Sequence, residues 1–259
     1  MTDRHGGAAK ERVARAFLRG LQSYDQEAAA QRTVNERLVE LLDRYGRRGG
    51  RILEVGCCTG MLTEALCRLL QPQELFLNDL VADFFAPVAE RLDPLCRPAL
   101  LPCFGDIETC ALPRGIDLVA SSSTLQWLGD LGGFFSRMAA SLAADGRLVF
   151  SMFGRETLVE VTELTGVGLS YPAFVQVRDL LDQRFRIEHA EVYRDRLIFA
   201  EPLAVLRHIQ ATGVGGVGGF TWTPRRLERF CREYAQRFGD ERGVRLSYVS
   251  YLFAAEKRP

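Results

Sequence analysis

The chain has 259 residues, 47% of them hydrophobic, which suits the well-filled core of one large domain or of a domain with an appendage. Its 33 basic and 33 acidic residues balance, so we expect no strong overall field that would attract nucleic acid or an anionic membrane. No apolar run approaches the roughly 20 residues that span a bilayer, the N-terminus lacks a signal-peptide core, and the seven scattered cysteines predict reduced thiols in the cytoplasm, with neither a disulfide framework nor a zinc cluster.

Two helices are predicted at the start of the chain, over 8–22 and 26–46, with Tyr24 in the turn between them. From residue 51 onwards strands alternate with helices. The predicted strands are 51–55, 74–79, 99–104, 116–120 and 146–153, and the predicted helices are 60–70, 82–92 and 130–143. Such an alternation is typical of a mostly parallel sheet with helices on both faces.

The pattern changes after residue 153. The predicted elements there are helices 156–164, 175–183, 202–211 and 224–238 and strands 185–193 and 245–256. A glycine-rich segment, 213–219, is interpreted either as a flexible connection or as the hinge of a lid. We therefore predict an N-terminal helical lid, 1–47, and a domain, 48–259, whose α/β fold is a seven-stranded, mostly parallel doubly wound sheet with a helical cap at about 202–240, inserted before the last strand.

The most informative stretch runs from Glu54 to Gly60, directly after an apolar strand. It predicts a buried strand, a tight glycine turn and a helix whose N-terminus points at the turn. Gly56 and Gly60 have no side chains, so a ligand can approach the backbone closely. A dinucleotide site would favour a middle glycine for its pyrophosphate, and Cys58 occupies that position. A ligand with a nucleoside but no phosphate fits better, and S-adenosylmethionine is the obvious one.

Acidic residues follow the next two predicted strands. Asp79 lies nineteen residues past Gly60, close to where a nucleoside-binding α/β fold places a carboxylate for ribose hydroxyls. Asp106 follows the third strand, where an acid can bind an adenine amino group while the neighbouring Ile107 covers the ring. A pair such as Gly105-Asp106 is usually only a turn, but its position after the third strand favours the ligand interpretation.

These features together resemble the class I methyltransferases that use S-adenosylmethionine, over about residues 48–153. The resemblance implies that the glycine turn meets the methionine end of the cofactor, that Asp79 holds the ribose and that Asp106 with Ile107 holds the adenine. The cofactor-binding residues that we predict are Glu54, Gly56, Cys57, Gly60, Asp79, Leu80, Asp106, Ile107 and Ser121. That family usually has glycine where this chain has Cys58. A cysteine fits there only if its φ is negative, so we expect a slightly altered turn.

A narrower resemblance, to the malonyl-acyl-carrier-protein O-methyltransferases of biotin synthesis, extends over most of the chain. The similar segments are Tyr24-Asp25 between the first two helices, Gly105–Glu108, Gln126-Trp127 after the fourth strand, Leu206–Gly213, and Leu246–Tyr248 at the opening of the last strand. That family esterifies the free carboxyl group of a malonyl thioester on acyl carrier protein. The resemblance therefore implies a carboxyl O-methyltransferase with acyl carrier protein as its partner.

This chemistry requires no general base, because a carboxylate is already ionised at neutral pH. The enzyme mainly has to align oxygen, methyl and sulfur and to exclude water. By resemblance we expect Arg207 to clamp the malonyl carboxylate, with a solvated helix arginine as the alternative. Tyr24 and Trp127, the latter beside Gln126, are expected to close the site over the sulfonium, and for these aromatic residues ordinary core packing is the alternative.

A basic stripe is predicted on helix 224–238, where Arg225, Arg229 and Arg232 fall on one face. Such a stripe would steer an acidic acyl carrier protein. The alternative interpretation is a solvated face, since Glu228 and Glu233 are interleaved with the arginines.

Two other functions stay open from the sequence alone. One is a methyltransferase of the same fold that acts on a free small carboxylic acid or another metabolite. The other is a non-catalytic binding protein that kept the fold, and Cys58 in place of glycine is its best support. His189 and His208 are expected to pack or to lie on the surface, because neither belongs to a visible triad or metal-ligand spacing.

Overall fold

The computed structural model describes residues 28–92, 98–212 and 221–259, together with Lys10, Glu11, Ala14, Arg15 and Leu18, which are helical. Tyr24 and the glycine-rich segment 213–219 lie outside the described residues. Two compact units are distinguished: the sheet unit (31–152, 172–192 and 251–259) and the helical unit (153–171 and 193–250, with the described residues up to 30). Within the described ranges no helix combines the length and the apolar character of a membrane span.

A single sheet contains all of the described strands. Its strands are β1 (Arg51–Val55), β2 (Glu74–Asn78), β3 (Ala99–Pro102), β4 (Ile116–Ser121), β5 (Leu142–Phe153), β6 (Phe185–Phe199), the two-residue β7 (Gly239–Asp240) and β8 (Gly243–Lys257). The order is β3-β2-β1-β4-β5-β8-β6, and β7 pairs antiparallel with β8. The pairs β1–β2, β1–β4, β2–β3 and β4–β5 are all parallel. The last part of β6, all of β7 and the first half of β8 belong to the helical unit.

The sheet is covered by apolar side chains. Ile52, Leu53 and Val55 of β1 are fully buried, as expected for a parallel strand with both faces covered. The helices that accompany the strands are α1 (Ala29–Tyr45), α2 (Met61–Leu70), α3 (Phe85–Arg91), α4 (Leu131–Ser141) and α6 (Phe174–Asp182). Phe253 stacks between Phe150 and Phe174, with both ring centroids 5.2 Å away, so aromatic packing joins β5, β8 and α6.

The helical unit contains α5 (Val159–Thr165), α7 (Pro202–Ala211) and α8 (Pro224–Phe238). Helix α8 begins with Pro224, and the Thr223 hydroxyl accepts a hydrogen bond from the Arg226 backbone N–H at 3.3 Å. It packs against both α5 and α7. The buried face of α8 is an aromatic row at helical spacing, consisting of Phe230, Tyr234 and Phe238.

The predicted fold class is confirmed, but the described sheet has eight strands rather than seven, because the two-residue β7 pairs with β8. The other differences lie at element boundaries. Helix 82–92 begins as a 3₁₀ turn, Ala82–Phe84, before α3. Strand β6 was expected over 185–193 but extends to Phe199. Its last part alternates exposed and half-buried residues and carries charges, which an edge strand accommodates and a buried strand does not. The division of the chain at residue 47 stays a prediction.

Candidate functional site

The turn after β1 depends on glycine at two positions. Gly56 has φ +79°, and a Cβ there would come within 2.1 Å of the Thr124 hydroxyl oxygen. Gly60 has φ +84° and precedes α2, and its Cβ would lie 3.2 Å from Val88. Both positions combine a left-handed backbone conformation with a close neighbouring atom, so only glycine fits there without strain. The N-terminus of α2 follows directly.

The expectation of a negative φ at Cys58 was wrong, because Cys58 has φ +45°. Its backbone N–H donates to Asp79 Oδ2 at 3.0 Å, which holds the left-handed conformation in place. A non-glycine residue pays roughly 1–2 kcal/mol for that conformation. The turn is thus the one that glycine would make, and the cysteine adopts it under strain.

Asp79 follows β2 directly and lies beside this turn. Its Oδ2 accepts from Cys58, and its Oδ1 accepts from the Val81 backbone N–H at 3.0 Å. Burial raises the pKa of Asp79 above its ordinary value, and the backbone donors oppose that rise. The neighbouring Leu80 is 40% exposed, which leaves an apolar side chain open beside the carboxylate.

Asn78 is a site residue that sequence reasoning missed. Its backbone carbonyl accepts from the N–H groups of Gly56 and Cys57 at 2.8 and 3.0 Å. Its side-chain amide donates to the carbonyl oxygens of Cys103 and Gly105 at 2.7 and 3.1 Å. One buried residue therefore ties the glycine turn to the loop after β3. The signal in the sequence was a polar residue at the end of an apolar strand, immediately before Asp79.

The loop after β3 presents the predicted pair Asp106 and Ile107. Asp106 Oδ1 accepts from the Glu108 backbone N–H at 3.0 Å, and the Ile107 side chain is 5% exposed. Arg137 of α4 fixes the loop, because its guanidinium donates to the carbonyl oxygens of Ile107, at 3.1 Å, and of Cys110. The loop is therefore anchored by the sheet unit's own side chains.

Glu54 is the most unusual group in this region. Its side chain is completely buried in β1, and neither carboxylate oxygen has a hydrogen-bond partner among the described residues. Burial raises the pKa of Glu54 to about 8; the neighbouring Thr63 opposes that rise and the nearby charge of Asp79 adds to it. The thiol of Cys57 is also buried, which raises its pKa. A buried acid without a partner is expected to accept a cationic or hydrogen-bond-donating ligand.

The segment after β4 lies against the same turn through Thr124. The Ser121 hydroxyl donates to the Val55 carbonyl at 2.8 Å and so fixes the end of β4 against β1. Gln126 is 8% exposed, and its amide donates to the Ser123 carbonyl at 2.5 Å. Trp127 is half-buried, and its backbone N–H donates to the Thr124 carbonyl at 3.1 Å. The sheet unit therefore brings these residues to the carboxyl ends of its parallel strands, where open α/β sheets bind ligands.

The helical unit carries the remaining predicted residues. Arg207 lies on α7 with a side chain that is 70% exposed, and it pairs with Glu201 at 3.1 Å. His208, on the same helix, is 4% exposed, and its Nε2 lies 2.9 Å from the Tyr248 hydroxyl, which is the packing role expected of it. Tyr24 is outside the described residues. Its predicted role, like that of Arg207, stays a prediction.

The arginines of α8 all lie on its exposed surface. Arg225, Arg229 and Arg232 are exposed, as are the nearby Arg226 and Arg237. Arg229 pairs loosely with Glu233 at 3.7 Å. Within the residues that the structure describes, no group of three or more histidine, cysteine, aspartate or glutamate side chains is arranged to hold a metal ion.

Comparison with known proteins is consistent across sequence and structure. Residues 27–197 match the model of a family described as a methyltransferase domain. The malonyl-acyl-carrier-protein O-methyltransferase of Haemophilus ducreyi is 35% identical over 255 residues, covering 96% of this chain and 98% of that protein. The protein of the same name from Chlorobium luteolum is 35% identical over 254 residues, covering 96% of each.

Solved structures show the same fold at low sequence identity. The YcgJ protein of Bacillus subtilis superposes with a TM-score of 0.61 at 13% identity, covering 86% of this chain and 99% of that one. The N-methyltransferase NodS of Bradyrhizobium japonicum, solved with S-adenosylhomocysteine, gives a TM-score of 0.53 at 16% identity, covering 93% and 99%. At such identities the likeness concerns the fold alone.

Proposed function

This chain belongs to the malonyl-acyl-carrier-protein O-methyltransferases, a family of S-adenosylmethionine-dependent enzymes, and we propose that it esterifies the free carboxyl group of malonyl-acyl carrier protein in biotin synthesis. The assignment of malonyl-acyl carrier protein as the acceptor rests on the 35% identity, which extends over nearly the whole length of both chains and is not confined to the cofactor motifs. The methyl ester masks a negative charge, so that enzymes of fatty-acid synthesis can elongate the chain.

The residues of the sheet unit fit the cofactor. We propose that Gly56, Cys57 and Gly60 line the methionine end, that Asp79 and Leu80 hold the ribose, and that Asp106 and Ile107 hold the adenine. Glu54 supplies a buried carboxyl group without a partner among the described residues, and Ser121 fixes β4 behind the turn. S-adenosylmethionine, when bound, supplies a methyl group on a positively charged sulfur.

The proposed reaction asks this chain to position groups rather than to move protons. A malonyl carboxylate is ionised at neutral pH, so its oxygen needs no base. We assign Gln126 and Trp127, after β4, to the wall that excludes water and orients the acceptor. Tyr24 has the same proposed role. Arg207, whose exposed guanidinium forms a surface ion pair with Glu201, is proposed to bind the malonyl carboxylate.

Helix α8 is the proposed docking surface for acyl carrier protein. Its exposed arginines Arg225, Arg229 and Arg232 lie on one face, and an acidic carrier protein complements them. Reversing all three to glutamate should raise KM for the carrier-bound acceptor several-fold and remove its dependence on salt. Reversal of Arg242, another exposed arginine of the same unit, is the matched control and should change neither quantity.

Incubation of the purified chain with cofactor and malonyl-acyl carrier protein tests the function directly. Mass spectrometry should detect one added methyl group on the malonyl group. No mass gain would contradict the proposal. A free dicarboxylic acid methylated faster than the carrier-bound one would instead favour the alternative of a small-molecule acceptor.

A further inference from the structure

A cavity of about 730 Å³ opens within the helical unit, among residues that follow β5, the far part of β6 and the first half of β8. Arg207 is not among the residues that line it. The charged lining residues are Glu156, Glu160, Arg194, Asp195, Arg196 and Arg245. The lining thus contains three acids and three arginines. An arginine that is paired with one of these acids is not available to a ligand, so the partners of each acid have to be identified.

Two of the acids are already bound by the protein. Glu160, which is 1% exposed, accepts from the Ser247 backbone N–H at 3.0 Å and from the Ser247 hydroxyl at 2.6 Å, and it lies 3.5 Å from Arg245 Nε. Asp195 accepts from the Arg196 backbone N–H at 2.8 Å. Glu160 and Arg245 therefore form a mutually neutralised wall of the cavity.

Arg194 and Arg196 are the cations that remain. They alternate along β6, so their side chains leave the strand on the same face, and both are exposed. Arg194 lies 3.8 Å from Glu156, with both side chains more than half exposed, an arrangement that contributes little to stability. Along the described part of the chain the Arg196 guanidinium makes no ion pair. Two neighbouring guanidinium groups suit the geometry of a carboxylate or a phosphate.

We propose that this cavity is an oxyanion site for the acceptor, in which Arg194 and Arg196 bind a phosphate or carboxylate group of the acyl arm. If they bind the phosphate, the malonyl carboxylate is left to Arg207, and if they bind the carboxylate, they replace Arg207 in that role. The inference rests on the proposed function for the identity of that arm. A malonyl group on a carrier protein offers both anions, namely its free carboxylate and the phosphodiester that joins the pantetheine arm to the protein. The lining also contains Val159, Val249 and the Ser247 hydroxyl, which suit the mixed apolar and amide character of pantetheine.

The competing explanation is that β6 ends the strand order and that its charges prevent pairing with other chains. Charges with that role alone would bind no anion selectively. The two explanations therefore differ in a measurement that requires no turnover.

Isothermal titration of the cofactor-free full chain with malonate and with inorganic phosphate, at constant ionic strength, provides that measurement. The double variant R194Q/R196Q should weaken binding by about tenfold, since two charge-assisted hydrogen-bond donors are lost. R242Q, which removes an exposed arginine of the same unit whose ion pair among the described residues is with Asp240, should bind like the wild type. Wild-type protein that binds neither anion, or a double variant that binds them equally well, would overturn the inference.

Kinetics with truncated acceptors identify which anion occupies the site. If R194Q/R196Q raises KM about tenfold for malonyl-phosphopantetheine but not for malonyl-pantetheine, the phosphate is bound, and an equal rise for both assigns the carboxylate. An unchanged KM for both contradicts the inference, while methylation of malonyl-acyl carrier protein by the wild type still supports the proposed function. If no acceptor is methylated but anion binding is lost in the double variant, the proposed function fails and the oxyanion site stands.

Discussion

The sheet unit and the helical unit present their candidate groups in different ways. In the sheet unit the turn at Gly56, the buried Glu54 and the doubly hydrogen-bonded Asp79 are held by backbone geometry and burial. In the helical unit Arg194 and Arg207 lie on exposed surfaces, and their ion pairs, at 3.8 and 3.1 Å, are made with exposed glutamates. A rigid ligand of constant structure suits the first arrangement, whereas a flexible arm on a partner protein suits the second. Changes in the sheet unit should therefore affect folding and cofactor together, and changes in the helical unit should affect only the acceptor.

The substitution with the largest expected effect is Gly56→Ala. The new Cβ would lie 2.1 Å from the Thr124 hydroxyl oxygen in a left-handed conformation, so strain and overpacking should lower the free energy of unfolding by about 3 kcal/mol or more and abolish cofactor binding. Gly49→Ala is the matched control, because Gly49 has φ +69° with no atom within 4 Å of the new Cβ. It should cost only about 1 kcal/mol. Equal losses in chemical denaturation would mean that Thr124 does not constrain the turn.

The next effect concerns pH and tests the burial of Glu54. Its pKa rises from 4.5 to about 8 on folding, so between these values the native state keeps a proton that the unfolded state has released. The free energy of unfolding should therefore fall as pH rises through this window, by up to about 1.4 kcal/mol per unit from this group. Glu54→Gln should remove that contribution. Denaturation curves measured from pH 5 to 8 that run parallel for both proteins would contradict the assignment.

Asp79→Ala and Arg207→Ala sharpen the contrast between the units. The first should weaken cofactor binding by roughly 1.5–3 kcal/mol through loss of a charge-assisted hydrogen bond. The second should raise KM for the acceptor and leave cofactor binding unchanged. Calorimetry with cofactor and steady-state kinetics with acceptor separate the outcomes. If both variants lose only cofactor affinity, the role proposed for Arg207 is wrong.

The smallest effect is expected at Cys58. Cys58→Gly relieves the strain of φ +45° but gives the unfolded chain more freedom, so we expect a net gain of about 0.5–1 kcal/mol in the free energy of unfolding. Cys58→Ala keeps the strained conformation and removes only the thiol, so its stability should stay near that of the wild type. A gain of the same size in both variants would assign the effect to the thiol instead of the backbone.

The sequence predicted the parts of the molecule that local patterns determine. The apolar strand β1, the glycines of the turn and the alternation of strands and helices all have a short-range signal, and the predicted fold class is confirmed. The φ of Cys58 was predicted wrongly, because the Cys58 N–H donates a hydrogen bond to Asp79, distant in the chain, and this bond holds φ positive. Asn78 was missed because its four partners come from two segments that are far from each other in the chain, the turn after β1 and the loop after β3.

The helical unit was harder to predict for a different reason. Arg207 was selected by resemblance, and nothing in the local pattern distinguishes it from Arg194 or Arg196. The end of β6 was missed because Arg194, Asp195 and Arg196 are charged, and a run of charged residues is not expected in a buried strand. The sheet order shows that β6 is an edge strand, where such residues are tolerated. Cavities formed by segments far apart in sequence have no local signal at all.

Asn78 has a consequence for protein engineering. Its carbonyl and its amide set the distance between the turn after β1 and the loop after β3. A designer who transplants the Gly56 turn into another sheet must carry Asn78 with it. Without it the graft would reproduce the shape of one loop and lose its spacing from the other.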